Sequence, residues 1–100
     1  MSGSELASHA SADLLEIVRY THRKWGDAQT ARYREELELA LQHLSLVPDA
    51  GRRRDAIAPG LRSFAVAEHV AFYVRRKGKI TILRILHPRM NVDEAFETGA

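Results

Sequence analysis

Residues 61–91, LRSFAVAEHVAFYVRRKGKITILRILHPRMN, hold three runs of strand-forming residues separated by short polar breaks. Leu61 to Ala67 is the first run, with Arg62, Phe64 and Val66 on one side. His69 to Arg75 is the second, with Val70, Phe72 and Val74 on one side and Ala71 and Tyr73 on the other. Lys79 to Leu86 is the third, rich in the β-branched residues that suit a pleated surface. Strict alternation places Ile80, Ile82 and Leu86 on one face of it and Leu83 and Ile85 on the other. A strand that is apolar on both sides belongs inside a sheet at least partly covered on both faces. Arg75-Arg76-Lys77-Gly78-Lys79 joins the last two runs as a hairpin, the short Gly-containing link being the signal. Arg84 interrupts an apolar face, and His87 stands where the strand ends.

The pattern upstream changes to a helical period. Ser8 has the hydroxyl of an N-cap, and from there to Lys24 the residues Leu14, Ile17 and Thr21 recur at three and four, widened by Leu15 and Val18. Trp25 closes this helix, and Gly26 suits the left-handed residue that follows a helix end. Asp27 caps a second helix whose apolar side is Ala28, Ala31, Tyr33, Leu37, Ala40, Leu41 and Leu44, ended by Pro48. So short a link makes the two helices an antiparallel hairpin. Trp25, Tyr33, Phe64 and Phe72 are expected in the core with Leu37, Trp25 at the apex of the hairpin against the sheet. Residues 1–7 read as a weak strand or a loose terminus, and residues 92–100 as a C-terminal tail. Arg52-Arg53-Arg54 opens a solvated connection to the strands. The order helix, helix, strand, strand, strand predicts an α+β domain spanning residues 1–100, with the helical hairpin on one face of a small antiparallel sheet.

Composition excludes several classes. The 100 residues make one domain and contain no cysteine, so no disulfide framework, thiolate metal site or cysteine nucleophile exists. The histidines lack ligand spacing, and neither a Gly-rich phosphate loop nor a G-x-S-x-G elbow occurs, so no metal and no cofactor is expected. No apolar run approaches the ~20 residues of a membrane span, and the start lacks the layout of a signal peptide; a cytoplasmic protein is expected. Charge is divided unevenly: residues 1–50 carry −3 and residues 51–100 carry +5. A basic half on a nearly neutral chain suits an acidic partner, either nucleic acid or an acidic protein segment.

The ordered set of these residues resembles the ParE toxins of the RelE/ParE superfamily. The similarity runs from Leu6 to Phe96. It rests on Ala12-Asp13-Leu14, Ile17 and Tyr20 in the first helix, Trp25-Gly26 and Gln29 at the junction, and Arg32-Tyr33 and Leu37 in the second helix. Pro48, Gly51-Arg52 and Pro59-Gly60-Leu61-Arg62 follow, then His69, Phe72-Tyr73 and the ending Ile82, Arg84, Ile85-Leu86-His87, Arg89-Met90-Asn91. The family's usual first strand, ending Leu-Ser-Pro, is replaced by Ser4-Glu5-Leu6-Ala7-Ser8-His9. What the resemblance implies is a toxin without enzymatic activity that inhibits DNA gyrase, trapping it on cleaved DNA. It also implies neutralisation by a ParD-like ribbon-helix-helix antitoxin, and no sequence-specific nucleic-acid binding by the toxin alone.

One constellation permits chemistry. Cleaving RNA needs a proton acceptor, a proton donor and cations for the phosphorane charge, which His87 with Arg62, Arg84 and Arg89 could supply. Against this, Arg84 can tie the sheet to the C-terminal segment and His87 can bond the backbone at the strand end, the reading we favour. A ribosome-dependent mRNA interferase and a non-toxic member that only binds antitoxin remain the alternatives. The residues expected to meet partners are Arg52, Arg53, Arg54, Arg62, Arg84, His87, Arg89 and Met90.

Overall fold

The computed structural model describes residues 4–97. The chain runs β1 (Ser4–Leu6), α1 (Ser8–Trp25), α2 (Asp27–Leu46), a 3-10 turn (Pro48–Ala50), β2 (Arg52–Arg53), β3 (Arg62–Val66), β4 (His69–Arg76), β5 (Lys79–Leu86) and α3 (Val92–Glu97). The five strands form one sheet in the order β1-β5-β4-β3-β2. All neighbours are antiparallel except β1, which pairs parallel with β5 at Ser4–Ile80 through Leu6–Ile82. The sheet is therefore mixed, not antiparallel throughout. A parallel partner needs a crossover, and the helical hairpin with β3 and β4 supplies it. The short N-terminal strand exists at Ser4–Leu6; residues 1–3 of that stretch lie outside the described residues.

The helices form as their apolar spacing predicts, but their caps differ. Ser8 is already helical, Ala7 holds the cap position, and no side chain caps the helix. Gly26 is the single residue between α1 and α2, at φ +86°, where a side chain would be strained. Asp27 is the first helical residue of α2, not its cap, and its carboxylate accepts from His22 Nε2 at 2.7 Å. Trp25 is not in the core: it is 63% exposed. Among the described residues nothing covers the apex: His22, Arg23, Lys24, Asp27, Ala28 and Gln29 are exposed beside it. Ala31 also faces solvent. The other expected core residues hold: Tyr33, Leu37 and Phe72 are buried, and Phe64 packs half-buried against the core.

Strict alternation fails in β5 at one point. Tyr73 pairs with Ile82 but Phe72 pairs with Arg84, so Leu83 is an extra residue, a β-bulge. The bulge exchanges the faces beyond it. Ile85 joins Ile80 and Ile82 under the helices with Ala10, Leu37, Leu41, Leu44, Val66, Ala71 and Tyr73. Leu86 instead joins Leu61 and Phe72 on the opposite side, with Leu83 packed beside them. That second core is closed by Ile57 and Ala58 and by Val92, Ala95 and Phe96 of α3. The supposed tail at residues 92–97 is thus a short amphipathic helix, its apolar residues spaced three and four apart; residues 98–100 lie outside the described residues. The sheet is covered on both faces, not by the hairpin alone.

Tyr73 ties the loop after α2 to the sheet. Its hydroxyl donates to Pro48 O at 2.8 Å and accepts from Gly51 N–H at 2.9 Å. Burial raises its pKa above the usual phenol value, against the Gly51 hydrogen bond and the Arg62 charge. A Cβ on Gly51 would stand 2.6 Å from Tyr73 Cε1 and 2.9 Å from Ser63 O, so only glycine fits.

Candidate partner-binding surfaces

The arginines picked out from the sequence divide into those bound into the fold and those left free. Arg62 donates to Gly51 O at 2.8 Å and Asp49 O at 3.2 Å, and its guanidinium lies 3.5 Å from the Asp49 carboxylate. Arg84 grips Asp13 of α1 through Nε at 2.8 Å and Nη2 at 3.0 Å, and donates to Ala95 O of α3 at 3.1 Å. Its pKa is raised first by that hydrogen-bonded carboxylate, with burial opposing. His87 accepts the Arg89 backbone N–H on Nδ1 at 3.1 Å. Arg62 and Arg84 are thus bound into different parts of the fold, while His87, Arg89 and Met90 are exposed beyond the end of β5. Arg84 ties the sheet to the C-terminal segment, as the sequence suggested, and to α1 as well.

Arg52 and Arg53 are exposed, as expected, but they belong to a strand and not to a loop, and Arg54 is half-buried. Arg52 and Arg53 form β2 at the sheet edge, opposite Ser63 and Arg62. Arg53 pairs with Asp55 at 2.8 Å. Asp55 is held below the usual carboxylate range, chiefly by the Gly60 N–H it accepts and next by Arg53. Arg54 lays its guanidinium 5.5 Å from the centre of the Phe72 ring and reaches Ser63 Oγ at 3.4 Å. Of the three, Arg52 alone has no such bond among the described residues.

Two grooves run along the helical hairpin. The first, of about 640 Å³, has an apolar floor of Leu6, Leu14, Leu15, Val18, Leu37 and Leu41, with Arg34, Glu35 and Glu38 around it. Leu15 is 51% exposed there. Leu14, Leu15 and Val18 belong to the apolar stripe of α1 and Leu37 and Leu41 to that of α2, both legible in the sequence, whereas Leu6 comes from β1.

The second groove, of about 910 Å³, lies between the helices, the β3–β4 turn and the end of β5. Tyr20, Trp25 and Met90 line it together with Glu16, Glu36 and Glu68. At its floor the Tyr33 and His69 rings meet edge to face at 5.5 Å, and His69 meets His87 in the same way at 5.9 Å. The buried Tyr33 hydroxyl and His69 Nδ1 have no hydrogen-bond partner among the described residues. Burial, and next the Glu36 charge, push the Tyr33 pKa up to about 12. Burial, and next the His87 charge, lower the His69 pKa, with Glu68 opposing. Sequence spacing alone did not join Tyr33, His69 and His87, because they come from α2, β4 and the end of β5. Among the described residues no cluster of three His, Cys, Asp or Glu side chains is placed to hold a metal ion.

Comparison with known proteins agrees with this architecture. Residues 5–92 match the family model of the ParE toxin of the type II toxin–antitoxin system parDE. Toxin ParE1 of Mycobacterium tuberculosis (strain ATCC 25618 / H37Rv) is 39% identical over 89 residues, 88% of this chain and 91% of that protein. Toxin ParE of Escherichia coli is 34% identical over 93 residues, 92% of this chain and 90% of that one. A solved structure, the chromosomal ParDE system from P. aeruginosa, shares the fold at a TM-score of 0.71 and 22% identity, covering 85% of this chain and 94% of that one. With the helical hairpin, the mixed sheet and the family match all in place, this chain belongs to the ParE toxin family of type II toxin–antitoxin systems.

Proposed function

We propose that this protein poisons DNA gyrase without catalysing a reaction of its own, in the cytoplasm, and that a ParD-like ribbon-helix-helix antitoxin neutralises it. The observation that carries the antitoxin part is the first groove, whose floor is six aliphatic side chains framed by charged ones. An amphipathic segment folding on contact presents a matching row of anchors at every third and fourth residue. The basic half of the chain then draws an acidic tail toward the surface before the apolar anchors lock it. The argument against catalysis is that Arg62 and Arg84 are committed to Gly51, Asp49, Asp13 and Ala95, so neither is free to meet a developing phosphorane charge.

The test has separable arms. Purified protein added to gyrase and supercoiled plasmid should accumulate cleaved DNA, while transcripts in a translating extract stay intact. Transcripts cut at defined positions, with cutting lost in His87→Ala, would replace gyrase poisoning by ribonuclease activity. Growth unaffected by expression without antitoxin would indicate a non-toxic member. Leu15→Glu places a charge in the first groove; it should abolish co-purification with the antitoxin and leave gyrase poisoning intact. Retained antitoxin binding in that variant would remove the groove from the interface.

A further inference from the structure

The densest unpaired charge on the molecule lies elsewhere, at the turn joining β4 to β5. Arg75, Arg76, Lys77 and Lys79 supply four cations in five residues, and all are exposed. None makes an ion pair or side-chain hydrogen bond among the described residues, unlike Arg53, Arg62 and Arg84. Lys77 and Gly78 take φ of +50° and +78°, the positive values that both central residues of a tight two-residue hairpin turn require. The tip is therefore a short twisted two-stranded ribbon with a fixed end. Arg76 and Lys79 are direct cross-strand partners in it. Like charges so placed destabilise a hairpin, and among the described residues no acid pairs with either of them. Glu5, the acid placed nearest by register, sits opposite Thr81 and accepts that residue's hydroxyl at 3.3 Å.

We infer that this hairpin tip docks on the phosphate backbone of duplex DNA, independently of sequence. Two features favour DNA over other acidic partners. A protein interface is held by apolar anchors, but the exposed large hydrophobic side chains, such as Leu15, Trp25, Leu46 and Met90, all lie outside the tip. Phosphate binding needs only clustered cations, each releasing a counterion. Second, a two-stranded β-ribbon fits the wide major groove of B-form DNA, whereas the deep, narrow major groove of A-form RNA excludes it. This contact goes beyond antitoxin binding and gyrase poisoning, and it is measured with neither present.

Fluorescence anisotropy of a short labelled DNA duplex, titrated with the full-length protein across a salt series, reads it out. Four phosphate contacts predict a slope of log K against log salt of about −3 to −4. Replacing the tip by Arg75→Gln, Arg76→Gln, Lys77→Asn and Lys79→Gln should flatten that slope by about 3 and weaken low-salt binding more than about tenfold. The single variants Arg76→Gln and Lys79→Gln should each flatten it by about 1 and melt at or above the wild-type temperature, since each relieves a like-charge pair. Arg19→Gln with Arg23→Gln, on α1, should leave the slope unchanged. The inference is overturned if the tip variants keep the wild-type slope, if the α1 variant loses as much, if duplex RNA binds as tightly as DNA, or if poly-glutamate binds the tip more tightly than the duplex does.

Discussion

Arg84 and Asp13, 71 residues apart in sequence, are joined by two side-chain hydrogen bonds, and each side chain is only 16% exposed. The same carboxylate accepts the Ile85 N–H at 2.9 Å, just past the bulge. One acid thus fixes α1 against the part of β5 where the pairing register shifts. Removing either partner strands the other's charge in a poorly hydrated place. Arg84→Ala and Asp13→Ala should each lower stability by about 2–4 kcal/mol, measured by urea denaturation, with the double variant costing far less than the sum. Additive losses would mean that the two residues act separately.

The Tyr73 hydroxyl and Gly51 form a second tie. Tyr73→Phe leaves the Gly51 N–H and the Pro48 carbonyl without their partner, and should cost about 1–3 kcal/mol in a thermal melt. Gly51→Ala drives a methyl group into the Tyr73 ring and should cost about as much or more. If Gly51→Ala melts like the wild type, the loop moves aside freely and the tie is weak.

Trp25 stands at the exposed apex, with the Lys24 ammonium 5.6 Å from its ring. Trp25→Ala should change stability by about 0.5 kcal/mol or less, as surface replacements do. A loss of several kcal/mol in a thermal melt would put the indole in the core after all.

His69 gives stability a pH dependence. Burial and the neighbouring His87 charge hold its folded-state pKa below 6.5, while the unfolded chain keeps the ordinary value. The unfolded state therefore binds more protons, and the contribution of His69, complete above about pH 6.5, is lost as pH falls through the folded-state pKa. Denaturation midpoints measured from pH 7.5 down to about pH 5 should fall less steeply for His69→Gln than for the wild type. Parallel curves would leave His69 without a part in the acid response.

Association with the antitoxin should slow as salt rises while dissociation changes little, because charge steers encounter and apolar anchors set release. Since Arg53 and Arg54 are already engaged at Asp55 and Phe72, Arg52→Glu alone should slow association measurably in stopped-flow mixing. Salt-insensitive association would mean that the basic half plays no part in the encounter.

Much of the fold was legible because its signals are local. The three long strands, the hairpin turn at Lys77-Gly78 and the two helices each follow from residue type at fixed spacing. The bulge was not legible: Leu83 is an ordinary strand residue, and only pairing with β4 reveals it as extra. Trp25 misled because aromatic character signals a capacity for burial, not an element to bury against. The amphipathic spacing of Val92, Ala95 and Phe96 was present, but a helix of six residues stands only by packing on Phe72 and its neighbours. The floor of the second groove, Tyr33 with His69 and His87, depends wholly on tertiary placement.

The parallel pairing of β1 with β5 also governs the order in which the molecule can be assembled. Glu5 and Thr81 meet across a separation of 76 residues, and Asp13 and Arg84 across 71. Contacts of such range cost the most chain entropy to close and form late. During synthesis the helical hairpin can form from neighbouring residues, but the first strand has nothing to pair with until the last has been made. A nascent chain therefore carries an open sheet edge and an uncovered helix face until β5 has been made, so closure of the sheet at its first strand waits on the synthesis of its last.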